Sequence, residues 1–140
     1  MNSDYSYLFL ETTDLYLRPF LDEDKSFFAN CENRPEIREK IGVTRPTTPQ
    51  ALERRIHTER DDAIWLAIVR KRDNQIIGET GLLRIFPDWS CSDLSIMIYD
   101  TDDRHHGLGT QAINALMHYA FGDLHLHRLS IGVVGFNEAA

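Results

Sequence analysis

Cysteine is scarce in this chain of 140 residues, and the two present, Cys31 and Cys91, stand far apart in no metal-like spacing. That excludes a disulfide framework and leaves reduced thiols as the default. Long apolar runs are missing too. No stretch approaches the roughly 20 apolar residues that a membrane span needs, and Met1 to Leu10 has no basic region ahead of its short apolar run, as a signal peptide would. Basic residues are outnumbered, with 15 Lys and Arg against 22 Asp and Glu and a net charge of −7. This argues against nucleic acid as the ligand, because a duplex is held by basic patches. It is compatible with a cationic partner such as an amine. Internal repeats, low-complexity tracts and linkers are all lacking. The expectation is one cytoplasmic domain spanning 1–140, large enough to bury its own core.

What is present is a readable order of elements. Leu15 to Phe20 alternates like a strand and is stopped by Pro19. Asp22 reads as the N-cap of a helix over Glu23 to Asn33. Thr48 before Pro49 opens a second helix, Gln50 to Asp61, with Leu52 and Ile56 on one face. Ile64 to Arg70 and Gln75 to Phe86 are strands joined by the turn Arg72-Asp73-Asn74. Ser92 to Tyr99 is the next strand, Gln111 to Phe121 a helix, and Arg128 to Val134 an apolar, central strand. In that last helix Ala112, Ile113, Leu116, Met117, Ala120 and Phe121 recur at 3.6 spacing. A meander followed by a helical crossover predicts an α+β fold with a mixed sheet.

The run Arg104-His105-His106-Gly107-Leu108-Gly109-Thr110 lies between the Ser92–Tyr99 strand and the following helix. Two glycines at a strand-to-helix turn let backbone approach a ligand with no Cβ in the way. The first N–H groups of the helix then point at that ligand, and the helix dipole favours negative charge there, which is the physics of a pyrophosphate cradle. A nucleotide triphosphate P-loop is excluded, since no lysine follows the glycines. The dinucleotide fingerprint is matched formally by Gly107, Gly109 and Ala112. It wants an acidic residue about 20 positions on, however, where this chain has none.

A third pattern, R/Q-x-x-G-x-G/A, is matched by Arg104, Gly107 and Gly109, and resembles the acetyl-CoA loop of the GNAT superfamily of N-acetyltransferases. Further likenesses follow in order along the chain. Thr13 to Phe20 is similar to the T-E-R-L-x-L-R-P opening of the branch that acetylates ribosomal-protein N-termini, with Asp14 departing from its arginine. Ile76 to Leu82 resembles the same branch's I-G-x-x-G-L strand, and Ser92 to Ile96 its A-E-x-G. Asn137 and Ala140 resemble the N-x-x-A that opens a later helix. Polyamine acetyltransferases share several of these features.

The resemblance implies a GNAT-like, mostly antiparallel mixed sheet flanked by helices. It implies acetyl-CoA bound by Arg104, His106, Gly107, Leu108, Gly109 and Thr110, with Asn137 nearby. The pantetheine arm would pair with the backbone of Ile96, Met97 and Ile98, and a backbone N–H around Met97 would polarise the thioester carbonyl. The implied reaction is direct attack on the thioester by a primary amine, either a small molecule or a protein N-terminus. The alternative is a catalytically incomplete acyl-CoA-binding or assembly module. Against the family pattern the C-terminal helix and strands, about 25 to 35 residues by average element lengths, are expected to be absent, and with them the tyrosine that protonates the leaving thiolate.

Deprotonating an ammonium calls for a carboxylate, directly or through water. Asp93 and Glu79 are the candidates, because a charge on a central strand asks for a reason. His118, His125 and His127 suggest a metal, but no carboxylate or cysteine completes a ligand set, so no metal is expected. An apolar edge such as Ile131 to Val134 is a template for pairing with a second copy, so a homodimer is expected.

Overall fold

The computed structural model describes residues 7–41, 45–57, 62–99 and 107–131. The chain divides into two compact units: residues 1–19 with 60–131, and residues 20–59 with 132–140.

The first unit holds one six-stranded sheet. Its strands β1 (Leu10–Glu11), β2 (Leu15–Pro19), β3 (Ile64–Arg70), β4 (Gln75–Phe86), β5 (Cys91–Ile98) and β6 (Arg128–Ser130) lie side by side in sequence order. The first four pairings are antiparallel, while β5 and β6 run parallel, so the sheet is mixed and mostly antiparallel. β3 and β4 occupy the residues that alternation and turn chemistry predict. Their turn closes with Asn74 at φ 56°, a conformation that asparagine tolerates, and the Asn74 N–H donates to the Arg70 carbonyl at 2.8 Å.

The crossover from β5 to β6 is α4 (Leu108–His118). It begins three residues earlier than its apolar stripe suggests, because Gly107 is itself the N-cap. Ala112, Leu116 and Ala120 are fully buried against Leu15, Leu17, Leu66, Ile68, Leu82 and Leu94. Phe121 departs from the expected stripe and is exposed. A π-helical turn over Tyr119–Asp123 follows the helix, and there the Leu124 N–H reaches back five residues to the Tyr119 carbonyl. The widened turn carries Phe121 off the buried side. β6 is described as far as Ser130, at one end of the described strand order rather than its centre, and Gly132 to Val134 lie outside the described residues.

The second unit contains α1 (Lys25–Glu32), α2 (Pro35–Ile41) and α3 (Pro49–His57). The single helix expected over Glu23 to Asn33 is broken differently. A 3₁₀ turn, Asp22–Asp24, precedes α1, and its N-cap is Leu21. Asp24 rather than Asp22 supplies the capping carboxylate, accepting from the Leu21 N–H at 2.9 Å. Thr48 does cap α3, its hydroxyl accepting from the Ala51 N–H at 3.1 Å. Phe28 is fully buried and stacks on Phe20 with centroids 4.1 Å apart. The buried carboxylate of Glu32 takes a hydrogen bond from Arg55 at 2.9 Å and another from the Thr47 hydroxyl at 3.1 Å. A buried charge survives only when paired in this way.

Candidate functional site

The site is built in the first unit, where β5 and the start of α4 come together. β6 pairs with β5 at three positions, Cys91–Arg128, Ser92–Leu129 and Asp93–Ser130. β5 runs five residues beyond the last of them, to Ile98. Backbone alternation decides which of those residues face the β6 edge. The Tyr99 N–H donates to Ile77 O at 2.9 Å, and the Thr80 hydroxyl donates to Ser95 O at 2.7 Å. A Cβ added at Gly78 would lie 2.1 Å from the Met97 carbonyl oxygen. The odd-numbered residues Ser95, Met97 and Tyr99 therefore turn their backbone groups toward β4. Those of Ile96 and Ile98 turn the opposite way. Met97 thus serves the β4–β5 ladder, and its two neighbours present backbone to the β6 side.

Gly107 takes φ 77° and ψ 3°, the left-handed conformation at which a side chain is strained. Its carbonyl accepts the Gln111 N–H at 3.0 Å and starts the helix. A Cβ built on Gly107 meets nothing within 4 Å, and one built on Gly109 meets only Ile96 Cδ1, at 3.9 Å. No described residue fills the space that these glycines leave. It is room at the positive end of α4, where the N–H groups of Leu108, Gly109 and Thr110 have no intrahelical partner. The Leu108 side chain lies in the core with Ile98 and Leu116, so its contribution to such a site is backbone. A diphosphate fits this arrangement. Arg104, His106 and Asn137 lie outside the described residues.

α4 is anchored at its first turn by Gln111. Its Oε1 accepts from the Thr12 hydroxyl at 2.7 Å and from the Asp14 N–H at 3.1 Å, and its Nε2 donates to Asp14 Oδ2 at 2.8 Å. Asp14, a departure from the family pattern, is thus half of a clamp between the β1–β2 turn and the helix. Nothing in the linear sequence marks these two residues as neighbours.

The two carboxylates sit on the sheet face opposite α4 but in different surroundings. Asp93 registers with Leu83 and Ser130, at the end where β5 and β6 are paired. Arg84, at φ 50° beside the irregularity between Leu83 and Phe86, reaches across to it. Its Nε donates to Asp93 Oδ2 at 2.7 Å and its Nη2 pairs with the same oxygen, while Arg84 stays 69% exposed. Glu79 registers with Met97, on the part of β5 beyond the β6 pairing. It is buried and accepts a hydrogen bond from the buried Tyr99 hydroxyl at 2.6 Å. Among the described residues of this unit Glu79 is the one buried charged side chain. No group of three or more His, Cys, Asp or Glu that could hold a metal ion occurs among the described residues, and the three histidines 118, 125 and 127 do not form one. No described helix is long and apolar enough to cross a membrane.

Comparison with known proteins adds to this geometry. The family described as "Acetyltransferase (GNAT) domain" matches residues 14–140. A curated relative, "Probable N-acetyltransferase YjcK" of Bacillus subtilis (strain 168), is 27% identical, the alignment covering 91% of this chain and 76% of the relative. The crystal structure of spermidine N-acetyltransferase from Vibrio cholerae in complex with CoA and spermine superposes with a TM-score of 0.77 at 21% identity, over 87% of this chain and 72% of that one. A dodecameric structure of spermidine N-acetyltransferase from Vibrio cholerae, in an intermediate state, gives 0.71 at 20% identity over 90% and 73%. At these identities the structural likeness establishes the fold.

Proposed function

We propose that this chain, which belongs to the GNAT family of acetyl-CoA-dependent acetyltransferases, acetylates the primary amine of a small polycation of the polyamine class, and that it does so in the cytoplasm. The observation that carries this reading is the glycine turn, with Gly107 left-handed and a Cβ at either glycine meeting no described atom closer than Ile96 Cδ1 at 3.9 Å, beside Gly109. The N–H groups of Leu108, Gly109 and Thr110 hold the pyrophosphate of acetyl-CoA, a task to which the family resemblance adds Arg104, His106 and Asn137. Backbone groups of Ile96 and Ile98 pair with the pantetheine arm, while Met97 fixes the strand on which they lie. The bound thioester supplies an acyl group open to nucleophilic attack.

The chain's own task is to deliver a neutral amine. We assign the base to Glu79 rather than Asp93. Glu79 is buried beside the length of β5 that lies beyond the described β6 pairing, whereas Asp93 is held in an exposed ion pair with Arg84 where β5 and β6 pair. The Glu79 carboxylate takes a proton from the acceptor ammonium, directly or through water, and the nitrogen lone pair then attacks the carbonyl carbon. The net charge of −7 favours a cationic acceptor over an anionic one. Copies of the chain are expected to associate, as the dodecameric spermidine N-acetyltransferase does.

A thioester-cleavage assay that follows thiol release tests this over spermidine, spermine, an aminoglycoside and a peptide with an N-terminal serine. Release with the polyamines, lost in Gly107→Val together with CoA binding by calorimetry, supports the proposal. Release with the peptide alone moves the acceptor to protein N-termini, the class suggested by the Thr13–Phe20 motif. CoA binding without release on any amine favours the acyl-CoA-binding module instead.

A further inference from the structure

We infer that Tyr99 is a positioning residue for Glu79, and that the two act as one unit in preparing the acceptor amine; this rests on the assignment of Glu79 as base. Register and reach are the starting point. Glu79 lies opposite Met97 in the antiparallel β4–β5 pair, and Tyr99 stands two residues further on, just past the end of β5 at Ile98. Side chains at such diagonal positions share a face of the sheet and meet when one of them is long. The phenol spans that gap and donates to Glu79 Oε2 at 2.6 Å. Both groups are buried, Tyr99 to 2% and Glu79 to 9% exposure.

A carboxylate this far from water rotates and protonates at will unless neighbours hold it, and a hydrogen bond to a charged group is among the stronger ones that a protein makes. By fixing one oxygen, the phenol sets the plane of the whole carboxylate and so the direction in which its other oxygen presents lone pairs. Geometry of this kind decides the efficiency of a general base, because the proton moves only along a short, aligned contact. The Tyr99 backbone is held as well, its N–H bonded to the Ile77 carbonyl on β4, so the phenol projects from a fixed point. Asp93 has no counterpart to this arrangement, since its partner is the long and largely exposed Arg84 side chain.

The reaction balances with Tyr99 unchanged. Glu79 gains the ammonium proton, the N–C bond forms as the C–S bond breaks, and the second proton that the nitrogen sheds goes to the leaving thiolate, directly or through water, giving the neutral amide and the free thiol. Tyr99 keeps its own proton throughout.

The test is a double-mutant cycle on Tyr99→Phe and Glu79→Gln, with spermidine or the best acceptor of the panel above. Tyr99→Phe keeps the ring in place and removes only the donor. It should lower kcat roughly tenfold while leaving KM for acetyl-CoA and CoA affinity unchanged. Glu79→Gln should cost roughly a hundredfold or more. In that background the tyrosine change should cost nothing further, as expected for residues acting as one unit. A readout without cofactor accompanies the kinetics: the carboxylate infrared band that disappears in Glu79→Gln should shift in Tyr99→Phe. Equal losses from Tyr99→Phe in both backgrounds, or wild-type kcat with an unmoved band, overturn the inference and leave Glu79 as base. Wild-type kcat in Glu79→Gln overturns the base assignment, and the inference with it.

Discussion

On the α4 side of the sheet, Leu66, Thr80, Leu82, Leu94 and Ile96 line up in register and meet a helix stripe of Ala112, Leu116 and Ala120. On the other side the same strands carry Trp65, Glu79, Leu83, Asp93 and Tyr99. Of the five strand residues on the first face only Thr80 is polar, and its hydroxyl is satisfied within the sheet by the Ser95 carbonyl. The second spends side chains on one another, Tyr99 on Glu79 and Arg84 on Asp93. Period-two alternation lets one set of strands do both. With Glu79 assigned as the base, stability and chemistry fall on different faces of this unit, and substitutions should separate them.

The largest effect is expected from breaking the packed face. Leu116 is fully buried in the middle of α4, and Leu116→Ala should cost about 2–5 kcal/mol through lost burial and the cavity left behind. Denaturant unfolding reads this as a lowered midpoint. Turnover per folded molecule should stay near wild type, because Leu116 packs in the core on the sheet face opposite Glu79 and offers no group to a ligand. An unmoved midpoint would show that the helix stripe is not the core.

The glycines sharpen the contrast, since the same change should act in opposite directions at two of them. Gly78→Ala drives a Cβ to 2.1 Å from the Met97 carbonyl oxygen, so the β4–β5 ladder must part, at a cost of about 1–3 kcal/mol. Gly109→Ala meets only a side-chain carbon at 3.9 Å in the first turn of a helix, where alanine outperforms glycine by roughly 0.5–1 kcal/mol. Gly109→Ala should therefore unfold later than wild type yet bind CoA more weakly, whereas Gly78→Ala unfolds earlier. A Gly109→Ala protein with unchanged CoA affinity would remove that position from the cradle.

The faces were legible in the sequence to different degrees. β3 and β4 were readable to the residue, because alternation and a turn with asparagine at positive φ specify both the strands and their joint. β1, two residues long, is too short for any period to show, and among the described side chains of α2 only Ile37 is buried, with charged neighbours. The start of α4 was masked by its glycines, which read as turn even where one of them is the cap and another is helical. Glu79 stood out as a charge on an apolar strand. Its partner did not, because which residues lie across from it is set by register, a property of two strands that neither carries alone. The same reason hides Gln111 with Asp14 and Glu32 with Arg55.

A smaller effect is expected at the second carboxylate. Arg84 and Asp93 form a largely exposed pair, for which about 0–1 kcal/mol is typical. Asp93→Asn should accordingly shift the unfolding midpoint little, and it should leave kcat within about twofold of wild type if Glu79 is the base. A hundredfold loss of kcat with intact CoA affinity would transfer the base to Asp93 and reverse the reading of the second face.

The smallest effect belongs to the turn between β3 and β4, far from both arrangements. Arg70 grips Asp73 with two hydrogen bonds, Nε to Oδ1 at 3.0 Å and Nη2 to Oδ2 at 2.6 Å. That hydrogen bonding, helped by the attraction of the guanidinium charge, holds the Asp73 carboxyl below its usual range. A carboxyl lowered in the folded state adds stability that is fully present above the unfolded value of about 3.9 and is lost as the pH falls through the lower folded value. The difference in Tm between wild type and Asp73→Asn should therefore be small and constant from neutral pH down to about pH 5, then close in more acidic solution. Added salt should shrink it, because the pair faces solvent. A gap that widens on acidification would mean that Asp73 is stabilised in its protonated form, which the two donors from Arg70 do not allow.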